Sequence, residues 1–276
     1  MGLRINTNVS SITAQRHLTK QQGRTEHALA AMASGTRIVK AADDAAGLAI
    51  SENIKGQLGG LKMARNNAFN AVSMIQVSEG GLNELSNALI RIRELGVQAA
   101  SDNIGEIERQ FLDNEVQQLV QEFDRIAKST RFGSKQLLTG SGEEFEFHVG
   151  PFGDEDENVI RYKIQADATA STLGVDGLSV SDKSDARETL HRVDEALINI
   201  GKMRADFGAV QSRLQTTTSN VDIQIENLSA AKSRLADADI AAESAELAAG
   251  QVLQQAGVAV LAQANQSQNA ALRLIQ

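Results

Sequence analysis

Seven apolar residues recur at intervals of seven in one stretch free of proline: Val193, Ile200, Phe207, Leu214, Val221, Leu228 and Leu235. A strict seven-residue apolar repeat marks a helix that packs along its length against other helices. From about residue 184 to 235 such a helix runs roughly 75 Å, at 1.5 Å per residue. The ordinary globular helix is about 11–12 residues long. A chain built around a rod of this length suits structure or assembly better than a pocket for chemistry.

Composition narrows the choice. Aromatics make up 3% of the 276 residues, there is no Trp, and Pro151 is the single proline. Few aromatics argue against one thick globular core, because aromatic side chains carry much of core burial. A net charge of −8 argues against duplex nucleic acid, whose phosphates need a basic face. The absence of Cys excludes disulfides, thiolate metal sites and thiol catalysis, and leaves the compartment open. Polar residues break up residues 1–9, so no signal peptide is expected, and no run of 18 apolar residues exists to span a membrane. Asn6 stands where a myristoylation motif needs Ser or Thr. These signals fit a cytosolic protein, or one exported without a cleaved leader.

The first half repeats the long-helix theme. Ile54, Leu61, Ala68, Ile75, Leu82 and Leu89 are again seven apart, and predict a helix over about 45–100. Asp43 or Asp44 suits its N-cap. Ser101, Asp102, Asn103 and Gly105 mark a turn; a second helix follows to about Ser129, with Ile107, Phe111, Val116, Leu119, Phe123 and Ile126 on one face. Next, Phe145, Phe147 and Val149 alternate with polar residues, as do Ile160, Tyr162 and Ile164, around a Gly/Pro/acidic stretch. That pattern predicts a β-hairpin.

The two ends complement each other. Residues 1–42 carry six Lys/Arg and one Glu; residues 236–276 carry four Asp/Glu and one Arg. Neither has an aromatic, and the C-terminal 41 residues include 13 Ala. Apolar residues fall at helical spacing in both: Leu18, Leu29 and Met32 in one, Ile240, Leu247, Leu261 and Ile275 in the other. Two thin helices bury too little surface to offset their ordering entropy. They are expected to fold only with each other and with neighbouring copies.

No catalytic constellation emerges. The four His, at 17, 27, 148 and 191, form no zinc motif, and no P-loop or dinucleotide fingerprint is present. The acidic run Asp154-Glu155-Asp156-Glu157 lacks the ligand spacing of an EF-hand and suits a solvated hairpin tip. Asn8-Val9-Ser10, Asn227-Leu228-Ser229 and Asn265-Gln266-Ser267 match the glycosylation sequon, a three-residue pattern that recurs by chance. No metal, cofactor or catalytic residue is expected.

The termini carry a family resemblance. Met32-Ala33-Ser34-Gly35-Thr36-Arg37-Ile38 and Ala42-Asp43-Asp44-Ala45-Ala46-Gly47-Leu48-Ala49-Ile50 resemble the N-terminal signature of bacterial flagellins, and Ile5-Asn6-Thr7-Asn8-Val9 is similar to the family's opening. Ser233-Arg234-Leu235-Ala236-Asp237-Ala238-Asp239, Leu253-Gln254-Gln255-Ala256-Gly257 and Val260-Leu261-Ala262-Gln263-Ala264-Asn265-Gln266 resemble its C-terminal signature. The likeness covers roughly 1–140 and 184–276, and departs from the family pattern at Ser267-Gln268-Asn269, where Pro is common. It implies a secreted subunit of the extracellular flagellar filament, a helical homopolymer. It also implies an export chaperone, the type III export apparatus, and the filament cap and hook-associated proteins as partners. Arg91-Ile92-Arg93-Glu94-Leu95 resembles the segment bound by the vertebrate flagellin receptor, with Glu115 as a third matching position. Arg91 and Leu95, four apart, are expected on one helix face that also serves axial stacking.

Three other readings compete. A hook–filament junction protein has related design, but its signature usually carries Pro before the paired Asp, where Ala41-Ala42 stand here. A membrane-active helical protein would need aromatic anchors that the ends lack. A flagellin with an inserted protease domain has neither room nor zinc motif here.

The expected fold is mainly α: an elongated, coiled-coil-like bundle with a small hairpin near 143–165. The domains are discontinuous: 1–43 with 235–276 as a terminal helical domain, disordered in the monomer and lining an inner tube, and 44–234 as a central rod. Assembly residues are expected at Ile5, Ile12, Leu29, Met32, Ile240, Leu247, Val260, Leu261, Leu272 and Ile275. Rod packing is expected at Val193, Ile200, Phe207, Leu214, Val221 and Leu228, and the axial or receptor contact at Arg91, Leu95 and Glu115.

Overall fold

The computed structural model describes residues 7–164 and 166–273, with side chains described through Gln266. The described elements run α1 (Val9–Ser34), α2 (Ala45–Ala99), α3 (Glu106–Ser129), β1 (Arg131–Phe132), β2 (Lys135–Gln136), β3 (Glu144–His148), α4 (Glu155–Asn158), β4 (Val159–Lys163), α5 (Lys183–Ala236) and α6 (Ile240–Arg273). The described residues are mainly α, with two small antiparallel sheets. It divides into two compact units, residues 57–226 and residues 1–56 with 227–276. The division falls inside α2 and α5, whereas the sequence expectation placed it near the ends of those helices. Helix breaks and changes of packing partner do not coincide here: the first turns of α2 and the last of α5 belong with the terminal segments.

The larger unit is built on paired seven-residue stripes. On α2, Leu61, Ala68, Ile75, Leu82 and Leu89 are buried, and so is a second stripe three residues on: Ala64, Ala71, Ser78, Leu85 and Ile92. Positions three apart and repeating every seven make one helix face. Ser78 tolerates burial because its hydroxyl donates to the Met74 carbonyl at 3.1 Å. On α5, Val193, Ile200, Phe207, Leu214 and Val221 are buried, and Leu228, in the other unit, is half-buried.

α3 packs differently from expectation. Val116, Val120, Phe123 and Ala127 form its buried face, while Ile107 and Phe111 are 69% and 67% exposed. The buried residues follow i, i+4, i+7, i+11; Ile107 and Phe111 lie in the first turns, before that face engages. Arg109 in those turns donates to the Ala99 and Ser101 carbonyls at 2.9 and 3.0 Å, which satisfies the end of α2.

β3 and β4 form the expected hairpin, with Phe145 opposite Tyr162 and Phe147 opposite Ile160. Val149, Ile160 and Ile164 are buried, and Phe145, Phe147 and Tyr162 pack against the same core. The tip is more ordered than a simple loop. Asp154 caps the single turn α4, and Pro151 lies so close to Gly60 that a Cβ there would sit 3.2 Å from it. Two features have no counterpart in the sequence reading. A second hairpin joins β1 and β2 through Gly133-Ser134, with Gly133 at φ 63. A segment without regular structure then buries Ala166, Ala168, Ala170, Leu173, Val175, Leu178 and Val180 in the core. α3 holds that segment: Asp113 accepts from Val180 N–H at 2.8 Å, and Gln117 donates to the Leu178 carbonyl at 2.7 Å.

Candidate assembly surface

The smaller unit consists largely of α1 and α6 with the connectors that join them to α2 and α5. Asn8 caps α1 by accepting from Ser11 N–H at 3.0 Å. Gly35, at φ 70, ends the helix in the left-handed conformation that glycine adopts without steric cost. Past it, Arg37 N–H donates to the Ala236 carbonyl at 2.7 Å and its guanidinium to the Leu235 carbonyl at 2.8 Å. Thr36 pairs with Asp237 in an isolated bridge. The two connectors thus cross in register where the N- and C-terminal signatures lie.

The paired aspartates have separate tasks. Asp43 accepts from Lys40 N–H at 2.7 Å and from Val39 N–H at 3.2 Å, and its carboxylate lies 3.2 Å from His27 Nε2. The Lys40 N–H above all, with His27 adding to it, holds the Asp43 carboxyl below the usual carboxylate range. Asp44 is the N-cap of α2, accepting from Gly47 N–H at 2.8 Å. A side chain at Gly47 would collide with the Asp44 carboxylate and press on Ile38, so the Asp-Asp-Ala-Ala-Gly order is a capping device. Asp239 does the same for α6, accepting from Ala241 and Ala242 N–H at 2.9 and 3.3 Å.

α1 and α6 lie antiparallel. Gly250 faces Thr25 and Gln21, Gly257 faces Leu18, and Asn8 Nδ2 donates to the Ala264 carbonyl at 3.0 Å. A methyl at Gly250 would meet Thr25, and one at Gly257 would meet Leu18, below 3 Å, so the pair is close-packed through Gly250 and Gly257. Sequence reasoning missed these two glycines as contact points; their spacing of seven inside an Ala-rich helix was the available signal.

The close pairing buries little. Of the 26 residues of α1, only Ala28 and Ala31 are buried. Of the expected assembly residues, Ile12, Leu29, Ile240 and Val260 are exposed, and Met32, Leu247 and Leu261 are half-buried. Ile5 and Ile275, and the side chain of Leu272, lie outside the described residues. Val9, Val252, Leu253 and Val258 extend the exposed apolar surface.

Arg91 and Glu115 do come together: the guanidinium lies 2.8 Å from the Glu115 carboxylate and 3.1 Å from Glu94. Leu95 corrects the expectation that it shares an open face with Arg91. It is 1% exposed and belongs to the core with Ile92 and Ala99. Four residues turn a helix by about 400°, so Leu95 lies some 40° round from Arg91, and that rotation carries it onto the buried stripe. Among the described residues, no group of three His, Cys, Asp or Glu is placed to hold a metal, and no helix is long and apolar enough to cross a membrane.

One continuous helical unit, and a second formed from the segments that flank it in sequence and containing the antiparallel pair α1 and α6, define a class of helical protein with exposed apolar residues on both of those helices. The model of the bacterial flagellin N-terminal helical region matches residues 5–143, and that of the C-terminal helical region matches residues 190–275. The chain is 39% identical to the flagellar filament 33 kDa core protein of Treponema phagedenis over 288 residues, 99% of each chain. It is 33% identical to the flagellin of Bacillus subtilis over 309 residues, covering 99% of this chain and 100% of that one. The crystal structure of Bacillus cereus flagellin superposes with a TM-score of 0.51 at 28% identity, over 60% of this chain and 94% of that one. The chain belongs to the bacterial flagellin family.

Proposed function

We infer that the chain is a structural subunit that polymerises through its two ends into the flagellar filament, outside the cell. The observation that carries this is the state of α1: 26 residues of helix that bury two alanines while Val9, Ile12 and Leu29 stay exposed. Such a helix gains too little from one partner to offset its ordering. Burying each exposed aliphatic side chain against neighbouring copies contributes about 1.5–3 kcal/mol. In this reading residues 1–43 and 235–276 are disordered in the free subunit and form the inner tube on assembly. The rod residues Val193 to Leu228 hold the outer part together. The subunit acts mechanically and catalyses nothing. Its partners are further copies, the export chaperone and type III apparatus, the cap and the hook-associated proteins. The hook-junction alternative has no better support, since both family models matched are flagellin's.

Removal of residues 254–276 tests the reading. The truncated chain should keep the helices of residues 57–226 and fail to elongate filament seeds. Ordinary filaments from the truncated chain would overturn it.

A further inference from the structure

α1 carries a ridge of cations at spacing four, Arg16, Lys20 and Arg24, all exposed. Among the described residues none lies within ion-pair distance of a carboxylate; Glu26, the single acid on α1, accepts instead from Gln22. His17, Lys20 and Arg24 rim an open groove of about 450 Å³ whose floor is Ala14, Leu18, Leu253, Ala256 and Val260. On α6, Glu243 and Glu246 likewise form no ion pair among the described residues. The antiparallel register keeps the two sets apart within one chain. Thr25 is level with Gly250 and Met32 with Ser244, so the acids stand beside Leu29 and Met32. The centre of the cationic ridge is roughly ten residues away, on the order of 15 Å at 1.5 Å per residue.

Complementary patches offset along one axis can pair between copies related by a two-fold axis, which closes a dimer, or between parallel, staggered copies, and only the second, heterologous contact propagates as an open helical polymer. We propose that the cationic rim of the α1 groove receives the acidic first turns of α6, through Glu243 and Glu246, from a second, staggered copy, and that this pairing sets the register of addition. This rests on the polymerising reading. Exposed ion pairs contribute little to stability, so the pairing acts mainly on the rate and register of encounter.

Seeded elongation tests the pairing by charge exchange. Lys20→Glu with Arg24→Glu should slow elongation of wild-type seeds by about tenfold or more, because attraction becomes repulsion. Glu243→Lys with Glu246→Lys should do the same. The chain carrying all four substitutions should elongate its own seeds to within about threefold of wild type and slow with added salt as wild type does, whereas salt should speed either reversed pair. Circular dichroism checks that each variant keeps its helices. Unchanged elongation by either reversed pair, or failure of the fourfold variant to recover, overturns the pairing while filament formation by the wild type stands. Wild-type chain that never elongates seeds would instead remove the reading beneath it.

Discussion

Gly80 and Gly81 are neighbours in α2, and replacing each with Ala should have clearly different effects on stability. A Cβ at Gly80 meets nothing within 4 Å, so Gly80→Ala adds only helix propensity, worth about 0.8–1 kcal/mol in a helix interior. A Cβ at Gly81 would lie 2.7 Å from Thr130 Oγ1, 2.8 Å from Leu138 Cδ1 and 2.9 Å from Thr130 Cγ2. Neither neighbour gives way freely: Leu138 is fully buried, and the Thr130 hydroxyl donates to the Ile126 carbonyl at 2.8 Å. Overpacking of this kind costs typically 1–3 kcal/mol, which cancels or exceeds the same propensity gain. The two variants should therefore differ by about 1–3 kcal/mol, with Gly80→Ala above wild type. For a unit of residues 57–226 each kcal/mol moves the thermal midpoint by about 2–4 °C, so calorimetry resolves the order. Gly81→Ala as stable as Gly80→Ala would show that α2 does not approach the β1–β2 hairpin as closely as described.

Phe207→Ala should lower the midpoint of the same unit by about 10 °C, since truncating a buried Phe costs about 3–5 kcal/mol; Phe207 is 1% exposed and its ring lies 5.9 Å from that of Tyr162. An unchanged midpoint would mean that the stripe faces solvent. Tyr162 is the single Tyr, so ultraviolet absorbance follows it alone. Burial, with Asp206 adding to it, pushes its phenol up to about 12 from an ordinary 10.0. The folded state favours the neutral phenol, so its contribution is complete below pH 10 and is lost as pH rises from 10 toward 12; ionisation of the folded protein near 10 would contradict the packing. Arg91→Ala should reduce both filament growth and activation of the vertebrate receptor by monomer while leaving the thermal midpoint little changed, because Arg91 and its partners Glu94 and Glu115 are exposed. Full receptor activity in this variant would remove Arg91 from that surface.

The long helices were legible because their signal is periodic and strong: a stripe such as Leu61 to Leu89 repeats too often for chance. The hairpin at Phe145 to Ile164 was legible from alternation of bulky and charged residues. The segment Ala166–Val180 was not: Ala166, Ala168 and Ala170 carry little hydrophobic contrast, and Leu173, Val175, Leu178 and Val180 follow no single helix or strand period. The β1–β2 hairpin is two residues a side, too short for any period to show. Leu95 illustrates a different limit. Spacing by four places residues near one another on a helix but does not say where the core's edge falls, and here the edge runs between Arg91 and Leu95. The roles of Asp43, Asp44 and Gly47 were half visible: an N-cap was expected at Asp43 or Asp44, Asp44 is the cap, and Asp43 instead binds the Val39 and Lys40 N–H groups of the preceding turn.

Hydrogen exchange on free subunit and on filament, residue by residue, tests the central claim most directly. Amides of α1 and α6 should exchange rapidly in the monomer, while those of α2 and α5 around the Leu82 and Phe207 stripes stay protected. Elongation from seeds should bring α1 and α6 to comparable protection. Ends as protected in the monomer as the rod, with no gain on mixing with seeds, would contradict the claim that they fold by packing against further copies.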